Sequence, residues 1–161
     1  MAFITREDFK AVADDKTLNV INQADSANLD RAVGYAIDEI SGYLRAMEPS
    51  KTGIQPYDIE AIFNTPSPLS CGEGLGERSD ERNKQLVMYT CDVALYHLIS
   101  WLPQKMGFEI RQIRYERAIS WLEDVQAGKV ILDVPLVSES ENENDQNPIR
   151  WGSWIKNKYD Y

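Results

Sequence analysis

The sequence predicts a mainly α-helical protein: a small bundle of three long helices plus one or two short N-terminal helices, a long inserted loop and an extended C-terminal arm. Three observations predict this architecture. Apolar residues recur at helical spacing in three separate segments of the 161-residue chain. A stretch rich in proline and glycine separates the first segment from the second, and residues 138–161 follow no such period.

The N-terminal part is expected to contain short helices followed by the first long one. Thr5 precedes a short helical run, and Asp8 three residues later approximates a capping box. Leu18 and Ile21 belong to a second short turn, and Asp25 or the serine after it caps the first long helix. The buried stripe of that helix is Leu29, Val33, Ala36, Ile37, Ile40, Tyr43, Leu44 and Met47.

Residues 48–80 form the inserted loop, where the helical period disappears. Four prolines are expected to break any helix there, and three glycines near its end do not form a phosphate-binding loop, because no Gly-Lys-Ser/Thr follows. The loop still carries apolar side chains, so we expect it to pack on its own domain or on a neighbour. The candidate partner-binding residues are Ile54, Tyr57, Ile59 and Phe63.

Two further long helices are expected after the loop. The second opens at Glu81 and ends near Leu102, before Pro103. It is apolar nearly all round, which places it at the centre of the bundle or between the bundle and another subunit. The third covers about 108–127, and Val130–Leu132 follows as a short extended segment. Its expected buried stripe is Ile110, Ile113, Ala118, Trp121, Leu122 and Val125.

Composition excludes several functional classes. A net charge of −9 argues against a protein that grips DNA through its phosphates. Cys71 and Cys91 form no CxxC pair and His97 is the single histidine, so neither a zinc site nor a disulfide scaffold is expected. We expect His97 to be hydrogen-bonded in place and Asp38 and Glu39 to lie on a solvated helix face. No catalytic constellation appears, and we predict no enzyme activity, metal or cofactor.

The N-terminus and the hydropathy pattern predict a soluble protein of a reducing compartment. Charged residues come too early for a signal peptide, and no segment is long and apolar enough to span a bilayer. We therefore expect no membrane partner.

Three arginines in the third helix stand out in an acidic chain. Arg111, Arg114 and Arg117 are spaced to spread across one side of the helix. They either pair with carboxylates of their own chain or contact a subunit or partner, because the guanidinium suits two-pronged pairing with carboxylates.

We divide the chain into a helical domain at 1–135 and a tail at 136–161. Residues 138–146 carry four acids and no base, which predicts an acidic tether without structure of its own. The end of the chain is aromatic and basic, and such side chains often anchor interfaces. The predicted arm residues that bind another subunit are Trp151, Trp154, Ile155, Tyr159 and Tyr161.

Four segments in this order resemble the tailed-phage head-tail connector family, also called adaptor or head-completion proteins, in its Mu-like branch. They are FITREDF at Phe3–Phe9, AIDEISGYL at Ala36–Leu44, DVALYHL at Asp92–Leu98 and, most strongly, RYERAISWLEDVQAGK at Arg114–Lys129. The inserted loop is longer than the connection expected in that family.

The resemblance implies a structural phage protein of the virion neck, assembled in the host bacterial cytoplasm. It implies a homo-oligomeric ring, usually twelve-fold, that binds the portal protein after DNA packaging and offers a surface to tail or neck proteins. Genomic DNA would pass through the lumen without specific binding. Two alternatives stay open: a tail terminator or stopper of the same region, which would be rich in β-structure, and a non-viral cytoplasmic helical adaptor or regulatory protein.

Overall fold

The computed structural model of the protein describes residues 3–22, 25–65, 80–100 and 107–137. These residues are mainly helical, and the three long helices and the short N-terminal ones are confirmed. The elements in chain order are a 3₁₀ turn (Asp8–Ala11), α1 (Asp15–Ile21), α2 (Ser26–Arg45), α3 (Pro49–Thr52), α4 (Ile59–Asn64), α5 (Lys84–Ile99) and α6 (Phe108–Gln126).

The first long helix, α2, begins where its cap was expected. The Asp25 side chain accepts a hydrogen bond from the Ala27 amide at 3.0 Å, which satisfies one of the free donors of the first turn. The predicted stripe faces the core, and Ala36 and Ile40 are completely buried. Capping and periodicity therefore agree on this helix.

The helix α5 is the centre of the bundle. It starts at Lys84 instead of Glu81, because the Asn83 side chain accepts hydrogen bonds from the Gln85 and Leu86 amides and so fixes the first turn. It packs against α2, α6 and the 3₁₀ turn, and eleven of its sixteen residues are buried. Most of this apolar helix is thus covered by elements of the same chain. This confirms the expected placement at the centre of the bundle.

The helix α6 ends before Gly128, as expected, because Gly128 takes a positive φ of 73° that glycine adopts readily. Ala118, Leu122 and Val125 are buried as predicted. The prediction was wrong for Ile110 and Ile113, which are 62% and 60% exposed.

The error for Ile113 has a geometric cause. Successive residues of a helix are about 100° apart, so Ile113 lies roughly 120° around α6 from Val125. Treating every apolar residue as part of one stripe made the stripe too wide.

The inserted loop contains two short helices, which corrects the expectation that its prolines would break any helix. Pro49 stands in the first turn of α3, where a helix needs no amide donor. The Asp58 side chain caps α4 by accepting from the Ala61 amide at 2.9 Å. Local capping therefore orders a segment that has no long apolar period.

The segment after α6 holds the inserted loop in place. Tyr57 and Leu136 form an isolated antiparallel bridge, and the described ranges contain no longer strand. The Asp58 amide donates to the Pro135 carbonyl at 3.0 Å, and the Val137 amide donates to the Pro56 carbonyl at 2.9 Å. The chain therefore leaves the described body in an extended, anchored conformation.

No helix within the described ranges has the length and apolar character needed to cross a membrane.

Candidate interaction surface

The arginine row of α6 divides into two anchored side chains and one outward one. Arg111 Nη1 donates to the Val12 carbonyl oxygen at 2.9 Å, which ties α6 to the 3₁₀ turn region. Arg114 Nη1 lies 3.3 Å from Oδ1 of Asp92 on α5. Arg117 is exposed and forms no ion pair with the described residues. Pairing with a carboxylate of the same chain thus accounts for Arg114 alone, whereas Arg111 binds a backbone carbonyl instead.

Asp92 is the carboxylate that holds Arg114. Its side chain is only 6% exposed, and burial raises its pKa, although the nearby arginines oppose that shift. Burial lowers the pKa of Arg111. The Arg114 side chain remains 41% exposed, so part of it is accessible to solvent and to a partner.

Four side chains make the α6 stripe, which we define as Ile110, Ile113, Arg114 and Arg117. Helical geometry places them within roughly 100° of one another on the surface of α6. Both isoleucines are more than half exposed. Apolar groups beside cations on an acidic protein form a surface suited to a partner that carries carboxylates and apolar side chains.

The inserted-loop candidates face their own body. Tyr57 is buried, and its hydroxyl oxygen accepts from the Leu132 amide at 3.1 Å. Ile54, Ile59 and Phe63 are partly buried against the core, and the Phe63 ring meets the Phe3 ring edge-on.

The arm candidates lie outside the described residues, as does Cys71, so the arm and the domain division at 135 stay predictions. These arm residues are Trp151, Trp154, Ile155, Tyr159 and Tyr161.

A buried ion-pair cluster joins the N-terminus to the start of α5, and no sequence pattern predicted it. The Arg82 guanidinium pairs with Asp8 at 2.9 Å and with Asp80 at 2.8 Å, and it also donates to the Phe3 carbonyl. Asp8 accepts from the Thr5 amide and hydroxyl as well, so the expected reach of Asp8 back to Thr5 is confirmed. An isolated arginine in a loop looks the same in a sequence whether it is buried or exposed.

A second cluster links α2, α5 and α6. His97 Nε2 lies 2.8 Å from Oε2 of Glu39, which confirms that this histidine is hydrogen-bonded in place. The Tyr115 hydroxyl donates to Oε1 of Glu39 at 2.6 Å, and its ring stacks on Tyr96 with centroids 4.0 Å apart. The solvated-face interpretation was therefore wrong for Glu39, although Asp38 is exposed as expected.

The geometry of these clusters is structural in character. Glu39 accepts hydrogen bonds from a histidine and a tyrosine, which fixes three helices relative to one another. Among the described residues, no group of three His, Cys, Asp or Glu side chains is placed to hold a metal ion. The thiol of Cys91 is buried, and burial raises its pKa.

Comparison with known proteins identifies a phage family. The family model described as bacteriophage Mu, Gp36 matches residues 68–150, just over half of the chain, and this range contains α5 and α6. No curated protein and no solved structure matches the chain. With more than half of its length matched, the chain belongs to the bacteriophage Mu Gp36 family.

Proposed function

We propose that this protein is a non-catalytic structural phage protein: a head-tail connector, or adaptor, of the virion neck. Its copies form a ring on the portal after DNA packaging, present a surface to the tail, and leave a lumen for the genome. Membership of a Mu phage family supports a structural or morphogenetic role. The resemblance to connector proteins along residues 3–135 supports the finer assignment.

The observation that carries the proposal is the α6 stripe. A ring subunit needs two different surfaces that meet when copies are related by rotation. Most of α5 is already covered by its own chain, whereas the exposed isoleucines and Arg117 of α6 are available to contact another protein. A stripe of this kind fits one side of such a contact.

The negative net charge of the body supports a lumen through which DNA passes. Residues 1–137 carry a net charge of −7 and residues 138–161 carry −2, so the negative charge belongs mainly to the body. Acidic walls repel phosphate, and DNA then passes without being held. The helical body also departs from the β-rich structure expected of a terminator or stopper.

The test is co-expression with the portal protein of the same phage, followed by electron microscopy of the complexes. We expect rings stacked on the portal, and neck density for this chain between portal and tail in virions. Ile113→Asp and Arg117→Glu are expected to reduce ring formation at least about tenfold, whereas Val20→Asp, at a similarly exposed site on α1, leaves it unchanged.

Two results would overturn the connector role. One is a chain that stays monomeric at high concentration and does not bind the portal. The other is virion neck density that contains no copy of this chain.

A further inference from the structure

The α6 stripe leaves apolar and cationic groups in solvent on a body that is otherwise acidic. Ile110 and Ile113 are the most exposed large apolar residues of the long helices. Arg117 forms no ion pair with the described residues, and the Arg114 side chain is 41% exposed although it pairs with Asp92. A segment that complements the stripe must therefore bring both negative charge and apolar surface.

The end of this same chain has that composition in the required order. The tether carries acids at every second position, namely Glu139, Glu141, Glu143 and Asp145. In an extended chain alternate side chains point to the same side, so all four carboxylates would face one way. The aromatic arm follows directly, with Trp151 and the other arm residues after it.

The direction and length of the tether also fit. Asp133 and Pro135 line one hollow with Arg82 and Leu86 at the start of α5. Since α6 runs antiparallel to α5, the chain leaves the body at the end where α6 finishes.

From that end, Ile110 lies about 24 Å back along α6, given about 1.5 Å per helical residue. The nine residues 138–146, extended, span about 30 Å. A chain on this path passes Arg117 and Arg114 with its acids and brings the aromatic arm to the two isoleucines.

We propose that in the free subunit residues 138–161 bind the α6 stripe of their own chain, with the tether acids on Arg114 and Arg117 and the aromatic arm on Ile110 and Ile113. A segment tied to the same chain has an effective concentration in the millimolar range, which favours this contact over one with a separate copy. The contact covers the stripe until a neighbour or portal displaces it. It concerns the subunit before assembly, so it stands or falls separately from the connector role.

The test is disulfide formation in the full chain without portal. In a Cys71→Ser background, a cysteine is placed on the stripe by Ile113→Cys and in the arm by Ser153→Cys, which keeps both arm tryptophans. The natural Cys91 thiol is buried and its pKa is raised, so it reacts slowly in the folded protein. The matched control pairs Ser153→Cys with Val20→Cys, since Val20 is 59% exposed on α1.

We expect the stripe pair to close within one chain at least about tenfold faster than the control pair. Closure should slow with added salt, and Arg117→Glu should slow it about threefold, whereas Arg31→Glu on the exposed side of α2 should not. Equal rates for the two pairs, or cross-links only between chains that disappear on dilution, would overturn the proposal. Far-UV circular dichroism checks that each variant is folded.

Discussion

Arg82 and Asp8 lie 74 residues apart in the chain and form an ion pair whose guanidinium is almost completely buried. Nη2 of Arg82 lies 2.9 Å from Oδ1 of Asp8, and the two side chains are 1% and 10% exposed. The pair fastens the N-terminal turn to the residues that precede α5. A buried cation held by two carboxylates is sensitive to the loss of any one member.

Replacing Arg82 by methionine should strongly destabilise the protein. Asp8 and Asp80 would lose their cation and the Phe3 carbonyl its donor, so we expect the free energy of unfolding to fall by about 3–5 kcal/mol. Urea unfolding at pH 7, followed by circular dichroism, measures the change. Arg6→Met is the control: Arg6 is half exposed and 3.7 Å from Asp15, and its loss should be below about 1 kcal/mol. Similar losses in both variants would contradict the assigned role of Arg82.

The ion pair between Asp8 and Arg82 also predicts how the free energy of unfolding falls at acidic pH. Burial alone would raise the pKa of Asp8, but hydrogen bonds from Arg82 and Thr5 outweigh it and hold the pKa below its ordinary value of 3.8. The stabilisation is therefore full above about pH 4 and is lost as the pH falls through the lowered pKa. We expect Asp8→Asn to lose about 1.5–3 kcal/mol at pH 7 and to flatten the decline in stability below about pH 4. An unchanged decline at acidic pH would show that Asp8 does not cause it.

The charge of Asp92 should affect the pH dependence of stability in the opposite direction to that of Asp8. Burial raises its pKa, and Arg114 offsets this only in part, so the ionised form is disfavoured in the folded state. Its charge therefore destabilises the protein above the raised pKa, and the penalty is relieved as the pH falls through that value. Asp92→Asn should leave stability at pH 7 unchanged or raise it by up to about 1 kcal/mol. Unfolding curves at pH 7 and 5 test this, and a loss as large as that of Asp8→Asn would refute it.

Alanine substitutions at two glycines with the same backbone conformation allow the cost of backbone strain to be distinguished from that of a steric clash. Gly107 and Gly128 have φ of 69° and 73°. A Cβ at Gly107 meets no atom of the described residues within 4 Å, whereas one at Gly128 comes within 2.8 Å of the Thr52 side chain. Gly107→Ala should cost about 1–2 kcal/mol from backbone strain alone. Gly128→Ala should cost about 1–3 kcal/mol more, because α6 and α3 must move apart. Thermal unfolding gives the difference, and equal values would mean that the contact with Thr52 relaxes freely.

The Tyr115 hydroxyl should contribute measurably to stability. It donates to Glu39 at 2.6 Å, so Tyr115→Phe is expected to reduce the free energy of unfolding by about 1 kcal/mol while keeping the ring stacked on Tyr96. Tyr43→Phe is the matched control, because that hydroxyl makes no hydrogen bond with the described residues, and its effect should stay within about 0.5 kcal/mol. A double-mutant cycle with Glu39→Gln that shows no coupling would argue against the bond.

Periodicity and capping predicted the helices well because both act over a few residues. Asp25 and the glycine after α6 mark helix ends through contacts with their own neighbours, so the sequence carries their signal. The observed start of α5 lies after the predicted one because Asn83 is a better cap than Glu81.

The candidate surface was harder to predict because it depends on which side of a helix meets another element. Ile110 and Ile113 have the composition of core residues, and only the tertiary packing of α6 on α5 leaves them outside. Asp92 and Glu39 bind groups on other helices, and Arg82 binds the N-terminus; pairings of this kind leave no local trace.

Because its own chain buries most of α5, folding of a copy and association between copies are separate steps. Folding of a copy is unimolecular, and its rate should not depend on protein concentration, since no neighbour is needed to bury the central helix. Any association that follows is bimolecular and is set by how many folded copies are present. Substitutions inside α5 therefore change the supply of folded copies, whereas substitutions on the α6 stripe change what those copies bind.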